Sequence, residues 1–213
     1  LLDNRFNPTY HGVSVFNQPG QPGVFFLALS HVVGLDATDS VSLSRGEMAG
    51  RRDVNSAVSV LRESGDPRFK NLFVIYSGPF LGIREGRRIH GLYTLTADDC
   101  RAGCTFPDGI CQVTFNFDVH HVSIEDGRLL DAEPVPPYQI PYRSLVAAGV
   151  DNLLLCGRCL SGDFLAHSSY RATGNAVATG EVVGKAAAIA AGEGISPAQV
   201  DARRVALLPH GAG

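Results

Sequence analysis

The chain has 213 residues, of which 45% are hydrophobic and 18% are charged, so it can bury a core and is not a disordered polar tail. Lys and Arg number 18 and Asp and Glu number 21, which gives a formal net charge of -3, and this balance does not suggest nucleic acid or an anionic membrane as a partner. No apolar run reaches the roughly 18 residues of a membrane span.

The first third of the chain predicts a strand, a helix and a second strand. The apolar run Val24–Val33 follows two Pro-Gly turn signals and predicts the first strand. Apolar residues recur every three or four positions over Leu43–Arg62, which predicts an amphipathic helix with Ser42 or Ser44 as its N-cap. The short apolar run Leu72–Tyr76 predicts a buried strand.

A regular alternation of apolar and polar residues marks Val113–Val122 as a further strand. Successive side chains of a strand point to opposite faces. The alternation therefore predicts that Phe115 and Phe117 share an apolar face, while Asp118 and His120 share the polar one.

Three more segments complete the pattern. Residues 89–95 predict a strand, after which Thr96 caps a short helical turn. The Pro-rich segment Glu133–Pro141 is extended, Leu153–Leu155 predicts a buried strand, and Thr173–Ala191 predicts a long helix. Strands and helices do not alternate regularly, so the expected fold class is mixed α/β rather than a complete doubly wound sheet.

The five cysteines are an odd count at moderate density, which favours free thiols in a reducing compartment and a cytoplasmic location. Cys156 and Cys159 form a C-x-x-C pair, but no second pair completes a zinc site, and a buried thiol is the simpler interpretation of Cys156. His120 and His121 are adjacent and would point to opposite faces of a strand, so no metal site is expected.

The long helix carries glycines at positions 174, 180 and 184. Each costs about 1 kcal/mol relative to Ala in a helix interior, which indicates close approach to a neighbour. Packing of the helix on a strand accounts for this as well as a ligand does. A ligand is favoured by the strand and polar loop before the helix, because free amides and the dipole at a helix start attract negative charge.

The sequence lacks the phosphate-loop, H-E-x-x-H and G-x-S-x-G motifs of other enzyme classes. It does contain five ordered blocks, between residues 41 and 208, that together resemble a known family. The blocks are Gly82–Asp99 (GIREGRRIHGLYTLTADD), Asp118–His120 (DVH), Ile140–Leu145 (IPYRSL), Asn152–Ser161 (NLLLCGRCLS) and Arg171–Gly184 (RATGNAVATGEVVG). In this order they resemble the C-terminal part of FAD-dependent oxidoreductases of the flavoprotein type with two dinucleotide-binding domains.

The resemblance implies that residues 1–148 are mainly a substrate-binding or cap region with a mixed β-sheet. It implies that residues 149–213 supply the closing strand and helix of a Rossmann-like FAD-binding domain. The dinucleotide fingerprint, which lies near the N-terminus in that family, is not in this sequence. An N-terminal FAD-binding segment or subunit is therefore the expected partner, either as another chain or as a part that was cleaved or lies outside this sequence.

The expected cofactor is FAD, and the resemblance places it against the loop and the helix. In the loop, a glycine would let the backbone approach FAD, and polar side chains would bind its ribityl or phosphate part. Backbone amides of the helix would face the pyrimidine edge of the flavin ring. A loop that only connects a strand to a helix is the alternative. The cofactor-binding residues implied are Gly157, Arg158, Ser161, Thr179, Gly180, Glu181 and Gly184.

Four residues are candidates for catalysis on a small-molecule substrate. His120 is the expected general base, since its ordinary pKa of about 6.5 suits proton abstraction at neutral pH. Tyr142 is a second acid–base candidate, and Arg84 and Arg171 could hold an anionic substrate group. The alternatives are a hydrogen-bonded strand histidine, a structural tyrosine in a Pro-rich turn, and ordinary ion pairs.

Glu181 departs from the family, which usually has Gln there. Its carboxylate suits a helix start but opposes the negative charge of a reduced flavin, so it either points away or weakens the site. This departure and the missing fingerprint keep a second hypothesis open, a non-catalytic partner subunit that retains the fold. A thiol-redox module using Cys156 and Cys159 is a third, although no thioredoxin-like βαβ unit surrounds them.

Overall fold

The computed structural model describes residues 14–28, 30–120 and 130–208. These residues fall into two units, the first holding 14–28 and 30–83 and the second 84–120 and 130–208. Helices and two-stranded antiparallel sheets occur together in these ranges, so the mixed α/β class is confirmed. The division at residue 148 concerns function and stays a prediction.

A hairpin opens the first unit. Strand β1 (Ser14–Asn17) pairs antiparallel with β2 (Phe25–Ala28), with Ser14 opposite Ala28. The connection contains the two Pro-Gly turns, whose Gly20 and Gly23 adopt positive φ angles of 76° and 83°. The strand predicted over Val24–Val33 is therefore confirmed only in its first half, because residues 30–33 form no strand.

Helix α1 (Ser40–Glu63) confirms the predicted amphipathic helix and is slightly longer. Its N-cap is Asp39 rather than Ser42 or Ser44, and the Asp39 carboxylate accepts hydrogen bonds from two backbone N–H groups of the first turn at 3.1 and 3.0 Å. A carboxylate also interacts with the helix dipole, which favours it over a serine hydroxyl. Gly65, with φ of 79°, follows the end of the helix.

The expected strand Leu72–Tyr76 is wrong. The segment has no regular secondary structure, and Phe73 and Ile75 are 70% and 67% exposed. An apolar run predicts that a segment should be covered, but a strand also needs a neighbouring strand with which to pair. None of the described residues supplies one.

The second unit contains two small antiparallel sheets. In one, β3 (Gly109–Val113) pairs with β6 (Tyr138–Pro141). In the other, β4 (Phe117–His120) pairs with β5 (Leu130–Glu133), so the Pro-rich segment is extended at both of its ends, as predicted.

The single strand predicted over Val113–Val122 is divided between β3 and β4, which pair with different partners. At the break, the carbonyl of Phe115 accepts a hydrogen bond from Ser169 Oγ at 2.5 Å, and the Phe115 side chain is 47% exposed. The interruption removes Phe115 from the apolar face. Residues 121 and 122 lie outside the described residues.

The strands predicted over 89–95 and Leu153–Leu155 are also wrong, because each segment forms only isolated bridges. These bridges join Gly91 to Ala147, Leu95 to Gly162, and Val146 to Leu154. Both segments thus run beside other loops. The segment before the long helix, Leu153–Leu155, forms only the one bridge between Leu154 and Val146.

Three α-helices complete the second unit as described. Helix α2 (Ala97–Arg101) begins at Thr96, as predicted, with a capping box that also uses Asp99. Helices α3 (Phe164–Tyr170) and α4 (Thr173–Glu193) follow each other closely, and α4 confirms the predicted long helix, with Gly194 in the left-handed conformation at its end. Short 3-10 helices lie at Tyr142–Ser144, Gly157–Cys159, Pro197–Gln199 and Ala202–Arg204.

The core of the second unit lies between α4, α3 and the β3–β6 sheet. Small residues of α4 let it lie close to this core, into which Val182 and Ala186 are fully buried. The largest fully buried side chains of the same cluster are Leu95, Ile110, Val113, Phe117, Tyr138, Ile140, Leu145, Leu160, Tyr170 and Val205.

Asp163 joins α2 to α3, which gives a test of this packing. Its carboxylate accepts from the N–H of Ala166 at 2.8 Å, as the cap of α3, and from the N–H of Ala97 at 2.6 Å. Asp163→Ala leaves two backbone donors without acceptors, so we expect the free energy of unfolding to fall by about 2–4 kcal/mol in urea denaturation.

Asp98→Ala is the matched control, because the Asp98 side chain is 94% exposed at the start of α2. Its effect should stay within about 0.5 kcal/mol. Equal losses for Asp98→Ala and Asp163→Ala would contradict the role given to Asp163.

Candidate active site

Strand β4 orients the first candidate residues. Phe117 and Val119 point into the core, whereas Asp118 and His120 lie on the opposite, partly exposed face. The predicted sharing of a polar face by Asp118 and His120 is confirmed, because both belong to the same short strand.

Arg171 is anchored on Asp118. Its Nη2 donates to the backbone carbonyl of Asp118 at 2.7 Å and to Oδ2 at 2.8 Å, and its side chain is only 14% exposed. Burial lowers the pKa of Arg171, while the Asp118 carboxylate opposes that effect. Arg171 follows the last residue of α3, so this contact ties β4 to the segment between α3 and α4.

His120 and Arg84 complete a cluster around Asp118. Nε2 of His120 lies 3.3 Å from Asp118 Oδ2, and Nη1 of Arg84 lies 3.9 Å from the same oxygen. Arg84 Nη1 is also a close hydrogen-bond neighbour of His120 Nε2. A guanidinium can only donate and a carboxylate can only accept, so the proton on Nε2 decides whether the imidazole bonds to Asp118 or accepts from Arg84. Three of the four predicted catalytic residues are thus brought together.

Tyr142 is placed differently. Its hydroxyl donates to the carbonyl of Pro197 at 2.8 Å, and the ring is buried in the core. Burial raises the pKa of Tyr142 to about 12. Its hydrogen bond therefore holds the 3-10 helix Pro197–Gln199 rather than a member of the Asp118 cluster.

Gly157 connects the candidate cofactor loop to α4. It is buried with φ of 60°, and its N–H donates to Thr179 Oγ1 at 3.0 Å. A Cβ at this position would lie 3.3 Å from the Cβ of Ala176. Both the backbone angle and the close contact favour glycine here. The close approach shown in the structure is that of the loop to the helix.

The other loop candidates differ in exposure. Arg158 is exposed in the 3-10 helix Gly157–Cys159. Ser161 is buried, its hydroxyl lies 3.1 Å from Thr94 Oγ1, and its N–H donates to the carbonyl of Ser144 at 2.9 Å. Ser161 therefore serves the packing of the loop.

Thr179, Gly180 and Glu181 lie inside α4 rather than at its start, as its seventh, eighth and ninth residues. Backbone N–H groups at such positions are used by the helix itself, whereas those of the first turn have no intrahelical acceptor. The first turn of α4 is Thr173–Asn175. The side-chain Nδ2 of Asn175 is also buried and has no hydrogen-bond partner among the described residues.

The glycines of α4 are not explained by packing within the described residues. A Cβ added at Gly174 or Gly184 would meet nothing within 4 Å, and one added at Gly180 would meet only Cys156 Sγ at 4.0 Å. Val177 on the same helix is 66% exposed. Close packing against other described residues therefore does not explain Gly174 and Gly184.

Glu181 forms an ion pair with Lys185, one turn further along α4, at 2.6 Å. Both side chains are about half exposed. The positive charge of Lys185 offsets the carboxylate that departs from the family pattern, so the helix carries no net charge at this turn.

His167 was not among the site residues expected from the sequence. It lies on α3 and is 2% exposed, and its Nε2 has no hydrogen-bond partner among the described residues. Burial, together with the positive charges of Arg88, Arg171 and Arg158, lowers the pKa of His167 to about 4. The available signal was its spacing of four residues from Arg171, the residue that follows α3.

The described residues contain no group of three or more His, Cys, Asp or Glu side chains arranged for a metal ion. Cys156 and Cys159 are free thiols, one partly buried and one exposed. No helix within the described ranges has the length and apolar character needed to cross a membrane.

The loop at Gly157 is held against α4, and Arg171, just before α4, joins that helix to the Asp118 cluster. The family model of FAD dependent oxidoreductases matches residues 4–207. The chain therefore belongs to the FAD dependent oxidoreductase family, whose cofactor is FAD. Neither a curated protein nor a solved structure matches it.

The contact between Gly157 and Thr179 gives a test of the loop geometry. Thr179→Val keeps the side-chain shape but leaves the buried N–H of Gly157 without an acceptor. We expect a loss of about 1–3 kcal/mol in the free energy of unfolding and faster hydrogen exchange of the Gly157 amide.

Thr179→Ser is the control, since it keeps the hydroxyl and removes one methyl group. It should cost about 1 kcal/mol from the lost burial while the Gly157 amide stays protected. Protection of that amide in Thr179→Val would show that the hydrogen bond does not hold the loop.

Proposed function

We propose that this chain is the C-terminal portion or a subunit of a flavin-dependent oxidoreductase that transfers hydride between a small organic substrate and FAD. Its second unit would supply substrate-contacting residues and the closing part of a Rossmann-like FAD-binding domain. The observation that carries the proposal is the open space at Gly174 and Gly184 of α4, the helix against which the loop at Gly157 is held. Alcohols, amines and carbon–carbon bonds are all substrate types for such chemistry.

The residues at the start of α4 fit a cofactor rich in acceptor oxygens. The backbone N–H groups of Thr173–Asn175 have no intrahelical acceptor, and the buried Nδ2 of Asn175 adds a further donor. These donors and the dipole of a 21-residue helix suit phosphate or carbonyl oxygens. These donors lie one to two turns before Thr179–Glu181, so we assign the hydrogen bonds from α4 to FAD to the first turn of the helix.

The open space beside Gly174 and Gly184 supports the cofactor assignment as well. A flat ring system or a neighbouring chain segment can approach a helix closely where side chains are missing. Arg158, exposed in the adjacent loop, would meet the ribityl or phosphate part. The ion pair of Glu181 with Lys185 would keep the carboxylate charge from acting alone on a reduced flavin.

Exposed apolar surfaces support the proposed N-terminal FAD-binding partner. In the first unit, Phe73 and Ile75 are exposed in a run that has the composition of a buried strand. In the second unit, α4 exposes Val177 and several alanines, where a surface helix normally carries polar residues. A missing FAD-binding segment or subunit would cover such surfaces.

The Asp118 cluster would handle the proton of the reaction. FAD, when bound, would supply the hydride acceptor. Nε2 of His120 would take the proton that the substrate loses, from a hydroxyl, an amine or the carbon next to a carbonyl. Arg84, which now contacts that nitrogen, would turn to an anionic group of the substrate and leave the lone pair of Nε2 available. Arg171 would hold Asp118 in place beside the imidazolium that forms.

The test is the visible spectrum of the full-length protein refolded with FAD, followed by anaerobic addition of candidate alcohols, amines and saturated carbonyl compounds. We expect flavin absorbance that stays with the protein and bleaches with one of these classes. His120→Gln should keep the absorbance and slow the bleaching by about 10²-fold or more, because a general base is lost.

A protein that stays colourless after refolding with FAD would contradict the proposal. A coloured protein that no substrate bleaches would support the alternative of a non-catalytic partner subunit. Unchanged bleaching in His120→Gln would remove only the base assignment. Arg203→Gln, which alters an exposed ion pair with Asp201, is the control for nonspecific effects of substitution.

A further inference from the structure

His167 is a buried polar side chain whose hydrogen bonding is incomplete. Its Nε2 is buried without a hydrogen-bond partner among the described residues, while the ring packs edge-on against Tyr170 with centroids 5.4 Å apart. Buried polar atoms in folded proteins nearly always have a partner, and an unsatisfied one costs stability. A site that binds a polar ligand group is one explanation for such an atom.

Three chain segments converge on His167, and each brings an arginine. Arg171 follows the last residue of α3, and its N–H donates to the carbonyl of His167 at 3.1 Å. The Tyr170 hydroxyl donates to the carbonyl of Leu160 at 3.1 Å, which ties α3 to the loop that carries Arg158. The N–H of Ile89 donates to the carbonyl of Cys159 at 3.0 Å, so Arg88 runs beside the same loop.

The charged groups that act on the ring of His167 are Arg88, Arg171 and Arg158, and all of them disfavour the imidazolium. Two of these arginines are also ion-paired, Arg88 with Glu85 at 2.5 Å and Arg171 with Asp118 at 2.8 Å. A guanidinium has five N–H donors, so a pair with one carboxylate leaves donors for a second oxyanion. The nearby Asp163 carboxylate accepts from two backbone N–H groups.

We propose that an oxyanion, a carboxylate or phosphate group of the ligand, binds at Nε2 of His167 between Arg88, Arg158 and Arg171. The neutral imidazole donates one hydrogen bond through Nε2, and the guanidinium groups supply the charge. The oxyanion comes either from the substrate or from the diphosphate of FAD, and this source rests on the proposed function. The binding of the oxyanion itself does not.

The test uses thermal unfolding of the full-length protein at pH 7.5, with inorganic phosphate or succinate added at constant ionic strength against chloride. We expect a saturable rise in Tm of about 2–4 °C over chloride. His167→Phe keeps the ring contact with Tyr170 and removes the unpaired nitrogen, so its Tm in chloride should be unchanged or higher, while its response to phosphate should be lost.

Arg158→Gln and Arg88→Gln should weaken the apparent phosphate affinity by about tenfold or more, whereas Arg203→Gln, an exposed pair with Asp201, should not. These variants decide the question if His167→Phe fails to fold. The proposal is wrong if phosphate and succinate act no differently from chloride, which would leave water as the partner of Nε2. It is also wrong if His167→Phe or both arginine variants keep the full response.

The source of the oxyanion follows from repeating the titration with FAD or riboflavin bound. If the diphosphate of FAD occupies the site, FAD abolishes the phosphate response and riboflavin does not. If the substrate occupies it, the response persists in the FAD-loaded protein. A protein that binds no flavin but responds to phosphate through His167 would refute the proposed function and retain this site.

Discussion

The candidate site depends on one interaction, the anchoring of Arg171 on Asp118. Nη2 of Arg171 contacts both the carbonyl and the Oδ2 of Asp118, so a single guanidinium ties β4 to the short segment from which α4 begins. The same Oδ2 lies 3.3 Å from Nε2 of His120. A largely buried cation cannot lose its carboxylate cheaply, because an unpaired charge in the interior is costly. The position of His120 is therefore coupled to that of the helix start.

The polar cluster and the glycine helix are adjoining parts of one unit. The hydroxyl of Thr179 accepts from Gly157, which holds the loop against α4, and Arg171 holds β4 against the residues just before α4. Their shared feature is that α4 itself carries small residues and leaves room beside Gly174 and Gly184. In the function we propose, FAD lies on the helix side, the substrate lies by His120, and the oxyanion at His167 is held between them by arginines.

The features that could be predicted from the sequence are those that local periodicity determines. Helices α1 and α4, the cap at Thr96 and the shared face of Asp118 and His120 follow from spacing within one segment. The expected strands at Leu72–Tyr76 and Leu153–Leu155 are wrong because a strand depends on a partner distant in sequence. The burial of His167 and the hydrogen bond from the Tyr142 hydroxyl to the carbonyl of Pro197 depend on tertiary contacts, which no local pattern encodes.

A double-mutant cycle on the FAD-loaded full-length protein tests the central claim, that Asp118 and His120 act as one unit. Asp118→Asn and His120→Gln are compared singly and together by kcat/KM, with the exposed Asp98→Asn in place of Asp118→Asn as the control cycle. We expect each single variant to lose about 10²-fold and the double variant to lose little more than the worse of the two. Multiplying losses of about 10⁴-fold would contradict the account, because they would mean that the two residues act independently.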